Sequence, residues 1–264
     1  MYPSLTKSYK GLYPFKLGTT SYIYPDYIIP NVKMLAPYLD EIELVLFESS
    51  SDSLPSKEEI KGLSLMASEF DISYNIHLPT DISLSDPDPL MRRNVLETIK
   101  NIIDLTSPLS PTTYTLHLSY SETLFKKENV KNWQEIVYKS MRQLLASGIK
   151  GKIISIETLA YPFEWVEKII TDLNLSVCID MGHLIKHGFE LETVFNKFFK
   201  VTPIIHLHGV ENHHDHLSLD RLPKKKLEPV IRILKRFTGV VSLEVFSYDH
   251  LNASLLFLEK CWQK

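Results

Sequence analysis

Cysteine is scarce in this sequence, and long apolar runs are missing from it. The 264 residues include two cysteines, Cys178 and Cys261, which do not form a CxxC motif. This cysteine usage is typical of a protein made for a reducing compartment. No apolar stretch reaches the ~20 residues that a membrane helix needs, and the N-terminal region lacks the apolar core of a secretory signal. We therefore expect a cytoplasmic protein with no membrane partner.

An excess of positive charge is also missing. Lysine and arginine total 29 against 32 aspartate and glutamate residues, which gives a net charge of −3 with histidine neutral. Sequence-independent binding of nucleic acid needs a basic surface, so we do not expect nucleic acid as a partner. The hydrophobic share of 44% and the charged share of 23% are those of an ordinary globular protein. The expected partner is a small-molecule substrate.

Short runs rich in Val, Ile, Leu, Thr and Tyr alternate with amphipathic stretches along the chain. Such runs predict strands. Eight of them occur, at residues 15–20, 41–48, 72–78, 113–118, 152–158, 175–180, 203–209 and 240–246. Between them, Ser56 and Glu59 predict a capping box and Gly148 predicts a helix C-terminus. Pro229 predicts a break or kink inside its helix.

Eight strand–helix units in ~250 residues predict an α/β fold of the (β/α)8 TIM-barrel type. We expect one domain over residues 1–264, with residues 1–14 as an N-terminal arm. An open doubly wound sheet is the alternative, but it normally carries a glycine-rich phosphate-binding turn after its first strand. The segment Gly18-Thr19-Thr20 is not such a turn.

Polar residues of the metal-ligand type recur at the C-terminal ends of the predicted strands. In a barrel these ends meet on one face, where active sites are built. A single histidine there is more often a hydrogen-bonded structural residue, but a buried carboxylate needs a cation. The set predicts a site for Zn²⁺, Mn²⁺ or Fe²⁺, since these ions accept carboxylate and imidazole ligands. Its members are His77, His117, Glu157, Asp180, His183, His208 and Glu244.

Further histidines lie on strand seven and in the loop that follows it. His206 and His208 are two residues apart and share a face of the strand. We assign His208 to the metal because it is nearer the mouth, and we expect His206 one layer deeper. In the loop, His214 and His216 are candidate ligands and Asp215 is an alternate ligand, although a solvated polar loop is also possible. His187 and His250 receive no role.

This ligand pattern resembles the xylose-isomerase-like barrel superfamily, which includes the endonuclease IV group, over nearly the whole chain from Phe15. The resemblance implies one metal bound by a Glu, an Asp, a His and a Glu, here Glu157, Asp180, His208 and Glu244. Sugar epimerases of the superfamily have few metal ligands beyond these four. Endonuclease IV-like phosphoesterases add histidines that His77, His117 and His183 would supply. Where they have Asp-Arg-His this chain has His-Asp-His, so one ligand is changed or displaced.

Three segments resemble more closely a bacterial branch of phosphodiesterases that open the nucleotide loop of cobamides. They are KLGTTSYIYPD, DEIELVLFES and IHLP. The resemblance implies a phosphodiesterase with two or three divalent ions, in which Glu157 bridges metals and Glu244 holds the attacking water. A metal-bound water of lowered pKa supplies the nucleophile in such sites.

The substrate contacts and the reaction class have alternatives. Tyr22, Tyr24 and Tyr161 are candidates for lining a pocket, with core packing as an equal alternative. Arg92 is a candidate phosphate clamp, as are Arg93 and Arg221, with ordinary surface charge as the alternative. The main rival function is a sugar (phosphate) isomerase or epimerase that moves a proton with its two glutamates. An abasic-site endonuclease and a non-enzymatic metal or cobamide binder are the others.

Overall fold

Eight parallel strands in the computed structural model, which describes residues 2–120 and 126–263, close into a barrel. The barrel strands are β1 (Lys16–Thr20), β2 (Glu41–Val45), β3 (Ser73–His77), β4 (Tyr114–Leu116), β5 (Ile154–Glu157), β6 (Ser176–Asp180), β7 (Ile204–Leu207) and β10 (Val240–Leu243). They are hydrogen-bonded in the order β1-β10-β7-β6-β5-β4-β3-β2. This arrangement confirms the predicted TIM barrel, with one strand from each of the eight predicted runs.

Helices follow the strands along the chain. They are α1 (Ile28–Leu35), α2 (Lys57–Phe70), α3 (Pro89–Thr106), α4 (Lys127–Ala146), α5 (Glu164–Asp172), α6 (Met181–Lys186), α7 (Leu191–Phe198), α8 (Lys224–Leu234) and α9 (Tyr248–Trp262). Their apolar faces are buried, as Ile99, Ile102 and Ile103 are on α3. None of the helices in the described residues is long and apolar enough to cross a lipid bilayer.

The strands are shorter than their predicted runs. Residues 151–153, for example, form a 3₁₀ turn before β5. As a result, His117, His208 and Glu244 lie one residue beyond the ends of their strands, whereas His77, Glu157 and Asp180 are the last residues of theirs. The side chains nevertheless reach the same end of the barrel, because all eight strands run parallel.

The predicted helix signals have different outcomes. The capping box of Ser56 and Glu59 forms at the start of α2, and Gly148, with φ +97°, follows the end of α4. Of the break or kink predicted at Pro229, the break does not occur, because α8 continues as helix through this residue. Pro229 has no N–H to donate to the carbonyl of Lys225, and Lys225 is an exposed residue.

A two-stranded antiparallel hairpin, which the sequence reasoning did not predict, follows β7. It consists of β8 (Gly209–Glu211) and β9 (His214–Leu217). A Cβ atom on Gly209 would lie 1.9 Å from the carbonyl oxygen of Ser218. Gly209 therefore permits the close backbone approach that folds the hairpin back over the barrel mouth.

The N-terminal segment packs against the rest of the chain. Leu5 and Tyr9 are buried. The backbone N–H of Tyr9 donates to the carbonyl of Tyr38 at 2.8 Å, and the hydroxyl of Tyr24 donates to the carbonyl of Pro3 at 2.7 Å. The segment before β1 is thus held by specific contacts.

Replacing Ser56 by alanine tests the capping box. The Ser56 hydroxyl accepts a hydrogen bond from the Glu59 N–H, and Glu59 accepts one from the Ser56 N–H. We expect Ser56→Ala to lower the free energy of unfolding by about 1 kcal/mol, measured by chemical denaturation. Ser68→Ala in the same helix is the control, because the Ser68 hydroxyl bonds only within the helix, to the carbonyl of Ser64. Equal effects of the two substitutions would contradict this account of the cap.

Candidate metal centre

The side chain of Glu157, at the end of β5, is fully buried and surrounded by histidines. Its Oε2 lies 3.2 Å from His77 Nε2 and 2.9 Å from His117 Nε2. Its Oε1 lies 3.3 Å from His183 Nδ1 and 3.7 Å from His206 Nδ1. Each carboxylate oxygen therefore faces two imidazole nitrogens.

A second group joins Glu157 to strands β6, β7 and β10. Ligand atoms of Glu157, Asp180, His206 and Glu244 all lie within 4.8 Å of one another, and all four residues are buried. His206 Nδ1 is 3.3 Å from Glu244 Oε2. Three carboxylates and one imidazole in this space form a donor set for a divalent cation.

A third group lies nearer the hairpin. Nitrogen atoms of His183, His208 and His216 are within 4.8 Å of one another. His208 already uses both ring nitrogens inside the protein. Its Nδ1 accepts the backbone N–H of His216 at 3.0 Å, and its Nε2 is 3.1 Å from Asp180 Oδ1. This group is therefore less ready than the other two to accept an ion.

The order of the two histidines on β7 differs from the prediction. His206, expected one layer deeper, is the β7 residue in the group with Glu157 and Glu244, while His208 contacts Asp180 and the hairpin. The reason is register. His206 pairs with Asp180 on β6 and with Ser242 on β10, so it lies at the level of Asp180 and not below the site.

The hairpin brings one of its two candidate histidines to the site. His216 lies over His208, with ring centroids 4.4 Å apart. His214 is exposed and belongs to none of the ligand groups among the described residues, so its assignment as a ligand is not supported. Asp215 Oδ2 is instead 2.6 Å from Lys186 Nζ and 3.7 Å from His183 Nε2.

The electrostatics of the cluster follow from burial and mutual attraction. Burial alone would lower the pKa of His77, but the hydrogen bond to Glu157 and the charge of Glu157 raise it to about 9. Burial likewise opposes the charge of His183, but Asp180 and Glu157 raise its pKa to about 10. Burial would raise the pKa of Glu157, yet the charges of His117 and His206 hold it well below its usual range.

Several buried atoms in the cluster lack a hydrogen-bond partner among the described residues. They are Glu43 Oε1, Glu157 Oε1, His183 Nδ1, His206 Nδ1 and Nε2, and Glu244 Oε2. Unpaired buried polar groups are rare because each one costs free energy. Cations placed among Glu157 Oε1, His183 Nδ1, His206 Nδ1 and Glu244 Oε2 would satisfy these four atoms, while Glu43 Oε1 and His206 Nε2 lie 2.9 Å from each other. The residues therefore fit the divalent ions that the sequence predicts.

The candidate substrate residues lie in different surroundings. Tyr24 is buried and its hydroxyl bonds to Pro3, which fits the packing alternative. Tyr161 is also buried, its ring stacked on Trp165 at 5.8 Å, and its hydroxyl is without a partner among the described residues. Arg92 donates to the carbonyls of Asp86 and Pro87 and so stabilises the loop before its own helix. These bonds do not support its assignment as a phosphate-binding residue.

The remaining arginine candidates are surface residues. Arg93 pairs with Glu97 on the same helix, and Arg221 lies near Glu211 and Asp220. Both positions fit the surface-charge alternative.

Aromatic side chains form a ridge at one side of the mouth, which we call the aromatic ridge. Its members Tyr22 and Phe47 have ring centroids 4.7 Å apart, and Phe47 and Phe246 have centroids 5.7 Å apart. Phe246 in turn lies 5.3 Å from the ring of His216. Phe47 is 43% exposed and Phe246 is 37% exposed, so the ridge offers apolar surface beside the third ligand group.

Sequence reasoning missed two charged residues at the site. Lys186 lines a pocket of about 340 Å³ together with His117, Tyr161 and His183. No motif marked it, because it ends the short helix α6 three residues after His183. Glu43 is buried on β2 with its Oε1 2.9 Å from His206 Nε2. A glutamate two residues after Glu41 in an otherwise apolar strand was a signal for a polar barrel interior.

The chain belongs to the xylose isomerase-like TIM barrel family, whose model matches residues 39–261. No curated protein sequence matches it. This membership agrees with the barrel and with the predicted superfamily.

Solved structures of similar fold include several sugar epimerases. A D-tagatose 3-epimerase-like protein has a TM-score of 0.78 at 18% identity, covering 94% of this chain and 97% of its own. The 3-keto-D-glucoside 4-epimerase from E. coli has a TM-score of 0.72 at 14% identity, covering 95% and 100%. The IolI protein with a bound zinc atom has a TM-score of 0.65 at 18% identity, covering 94% of each chain. At these identities the likeness shows the fold alone.

Metal content tests the cluster directly. Because two ligand groups share Glu157 and a third adjoins them, we expect two or three divalent ions per chain in protein prepared without chelator and supplied with Zn²⁺ or Mn²⁺. Elemental analysis after dialysis is the measurement. At most one ion per chain, unchanged by added metal, would contradict the multi-metal site.

Gly182→Ala tests the third ligand group. A Cβ atom on Gly182 would lie 2.0 Å from the His208 ring, so the ring must shift, which disturbs its contacts with Asp180 and His216. We expect metal affinity to fall about 10–100-fold, as it does when a partner that orients a metal ligand is lost, measured by competition with a chelator. Gly62→Ala in α2 is the control, because its nearest contact would be 3.7 Å away. Equal affinities of the two variants would show that the position of His208 does not matter.

Proposed function

We propose that this chain is a divalent-metal-dependent hydrolase that cleaves a phosphodiester in a discrete small molecule. The observation that carries the proposal is the surroundings of Glu157, whose two oxygens each face two imidazole nitrogens. A carboxylate flanked in this way suits a bridge between two cations. Chemistry that uses a single ion leaves His77 and His117 with no role beyond balancing the buried charge of Glu157.

The ligand groups divide the residues that would hold the ions. His77, His117 and Glu157 would hold one ion, and Glu157, Asp180, His206 and Glu244 another. His183 and His216 would contribute to a third. Bound ions of this kind lower the pKa of a bound water and neutralise charge on phosphoryl oxygens.

The protein's own residues supply position and charge. Glu244 is 6% exposed and its Oε2 has no hydrogen-bond partner among the described residues, so this atom is available to orient the attacking water. Lys186 faces the same pocket as His117 and His183, and its ammonium group suits a non-bridging phosphate oxygen. Lys186 thus replaces Arg92 as the proposed phosphate-binding residue.

The nucleotide loop of a cobamide is the specific substrate that we propose. The sequence segments that resemble the cobamide-remodelling branch support it, and so does the aromatic ridge, which offers a surface for a broad apolar group next to the ligand cluster. The groove beside the ridge also contains Asp26, Glu48 and Asp52. The part of the substrate that lies there is therefore uncharged or cationic, with the phosphate at the metal cluster.

A sugar isomerase or epimerase is the second candidate. The solved sugar epimerases of the same fold favour it over a phosphodiesterase, and the four-residue group with Glu157 and Glu244 would suffice for one ion. However, a proton-transferring base works best with a pKa near the operating pH. The Oε2 of Glu157, which would have to be this base, is already within 3.2 Å of the Nε2 atoms of His77 and His117, two histidines that single-ion chemistry does not use.

A substrate panel separates these candidates. Metal-loaded protein is incubated with an adenosylated cobamide, a set of ketoses and ketose phosphates, and abasic-site DNA. We expect loss of the base-on absorption spectrum of the cobamide, with product masses that place the phosphate on the corrinoid side. Turnover of a ketose with intact cobamide would establish the second candidate, and cleavage of the DNA would establish an endonuclease.

Variants tie the activity to the cluster. We expect His77→Ala to lower phosphodiester hydrolysis about 100-fold or more, because a charge-stabilising group is lost, while one ion stays bound. His250→Ala, outside the site, is the matched control. Near-full activity of His77→Ala would show that His77 is a structural histidine.

A second pair of variants tests Lys186. We expect Lys186→Gln to raise KM with little change in kcat. Lys168→Gln, which breaks a surface ion pair of the same 2.6 Å length, should change neither KM nor kcat.

A further inference from the structure

The buried glutamate Glu43 has no place in the ligand groups described above, yet it is a fully buried charge. It lies on β2, three strands around the barrel from the β5 residue Glu157. Its Oε1 is 2.9 Å from His206 Nε2, and its Oε2 accepts a hydrogen bond from the Ser242 hydroxyl at 2.5 Å. Burying a carboxylate is costly unless it serves a specific partner. The contacts identify that partner as His206.

The two nitrogens of His206 face opposite ways. Nε2 lies 2.9 Å from Glu43 Oε1, and neither of these two atoms has another hydrogen-bond partner among the described residues. Nδ1 faces the ligand cluster, 3.3 Å from Glu244 Oε2 and 3.7 Å from Glu157 Oε1. If the proton of the neutral ring is on Nε2, the lone pair of Nδ1 is directed at the cluster.

We propose that Glu43 is the positioning residue of the metal centre, accepting the Nε2 proton of His206 and so presenting the Nδ1 lone pair to a divalent cation. A carboxylate behind a metal-binding imidazole fixes its tautomer and orientation and increases its basicity. Ser242 holds the far oxygen of Glu43 and completes a relay across β2, β7 and β10. The inference rests on the proposed metal centre but not on the proposed substrate.

A neighbouring glutamate provides a matched control. Glu41 is two residues earlier on the same strand and equally buried. Its carboxylate accepts hydrogen bonds from Ser73, Asn75 and Thr112, at 2.5, 3.1 and 2.6 Å. It makes no ion pair with a histidine among the described residues. Glutamine at either position removes a buried carboxylate from β2. However, Glu43→Gln alters the contact with His206 and Glu41→Gln does not.

The test compares Glu43→Gln with Glu41→Gln in the full chain. Zn²⁺ affinity is measured by competition with a chromophoric chelator, and Co²⁺ absorption spectra report the ligand field. We expect Glu43→Gln to weaken binding of one ion about 10–100-fold and to change the Co²⁺ spectrum. Ser242→Ala should weaken binding less, and Glu41→Gln should leave both readouts unchanged.

The outcomes separate the inference from the function. Wild-type affinity in Glu43→Gln, or equal losses in both variants, would overturn the positioning role. If Glu43→Gln does not fold, Glu43→Asp keeps the charge but withdraws it by one methylene, and unchanged affinity there would be equally decisive. A wild type that binds no metal would overturn both the metal centre and this inference. A wild type that binds metal but cleaves no phosphodiester would overturn the proposed function alone.

Discussion

Burial of the Glu157 carboxylate is the constraint on which the mouth of the barrel depends. The residue ends β5 and is fully enclosed, where an unpaired charge costs several kcal/mol. Histidines from β3, the end of β4, α6 and β7 surround it. The four histidines at these places therefore depend on one another, because together they stabilise the single negative charge of Glu157. Substituting one of these histidines is therefore expected to change the interactions of the other three with Glu157.

The barrel itself could be predicted because its signals are local. Each strand is a short apolar run buried on both faces, and the sequence places a helix pattern after each one. What could not be predicted is where each strand stops. The paired strands end before their apolar runs do, so that His117, His208 and Glu244 lie past the ends of their strands. The hairpin after β7 was missed because its residues are mostly polar and carry no strand pattern.

The candidate site was predictable in residue type and less so in arrangement. His77, His117, Glu157, Asp180, His183 and Glu244 do come together, since parallel strands end on one face. His208 does belong to a ligand group, but His206 does not lie one layer deeper as expected, because distance from the strand end does not give the level of a side chain in a barrel. That level comes from pairing with Asp180 and Ser242. Glu43 and Lys186 were missed because their contacts, with His206 and Asp215, are with residues far away in the sequence.

The candidate ligand atoms come from β3, β5, β6, β7, α6, β9 and the loops after β4 and β10, so they lie around most of the barrel wall. An ion held among them would link strands from both halves of the chain. The free energy of metal binding would then stabilise the folded barrel, and a chelator would remove that stabilisation. The stability of the barrel would therefore depend on the concentration of free metal ion in its surroundings.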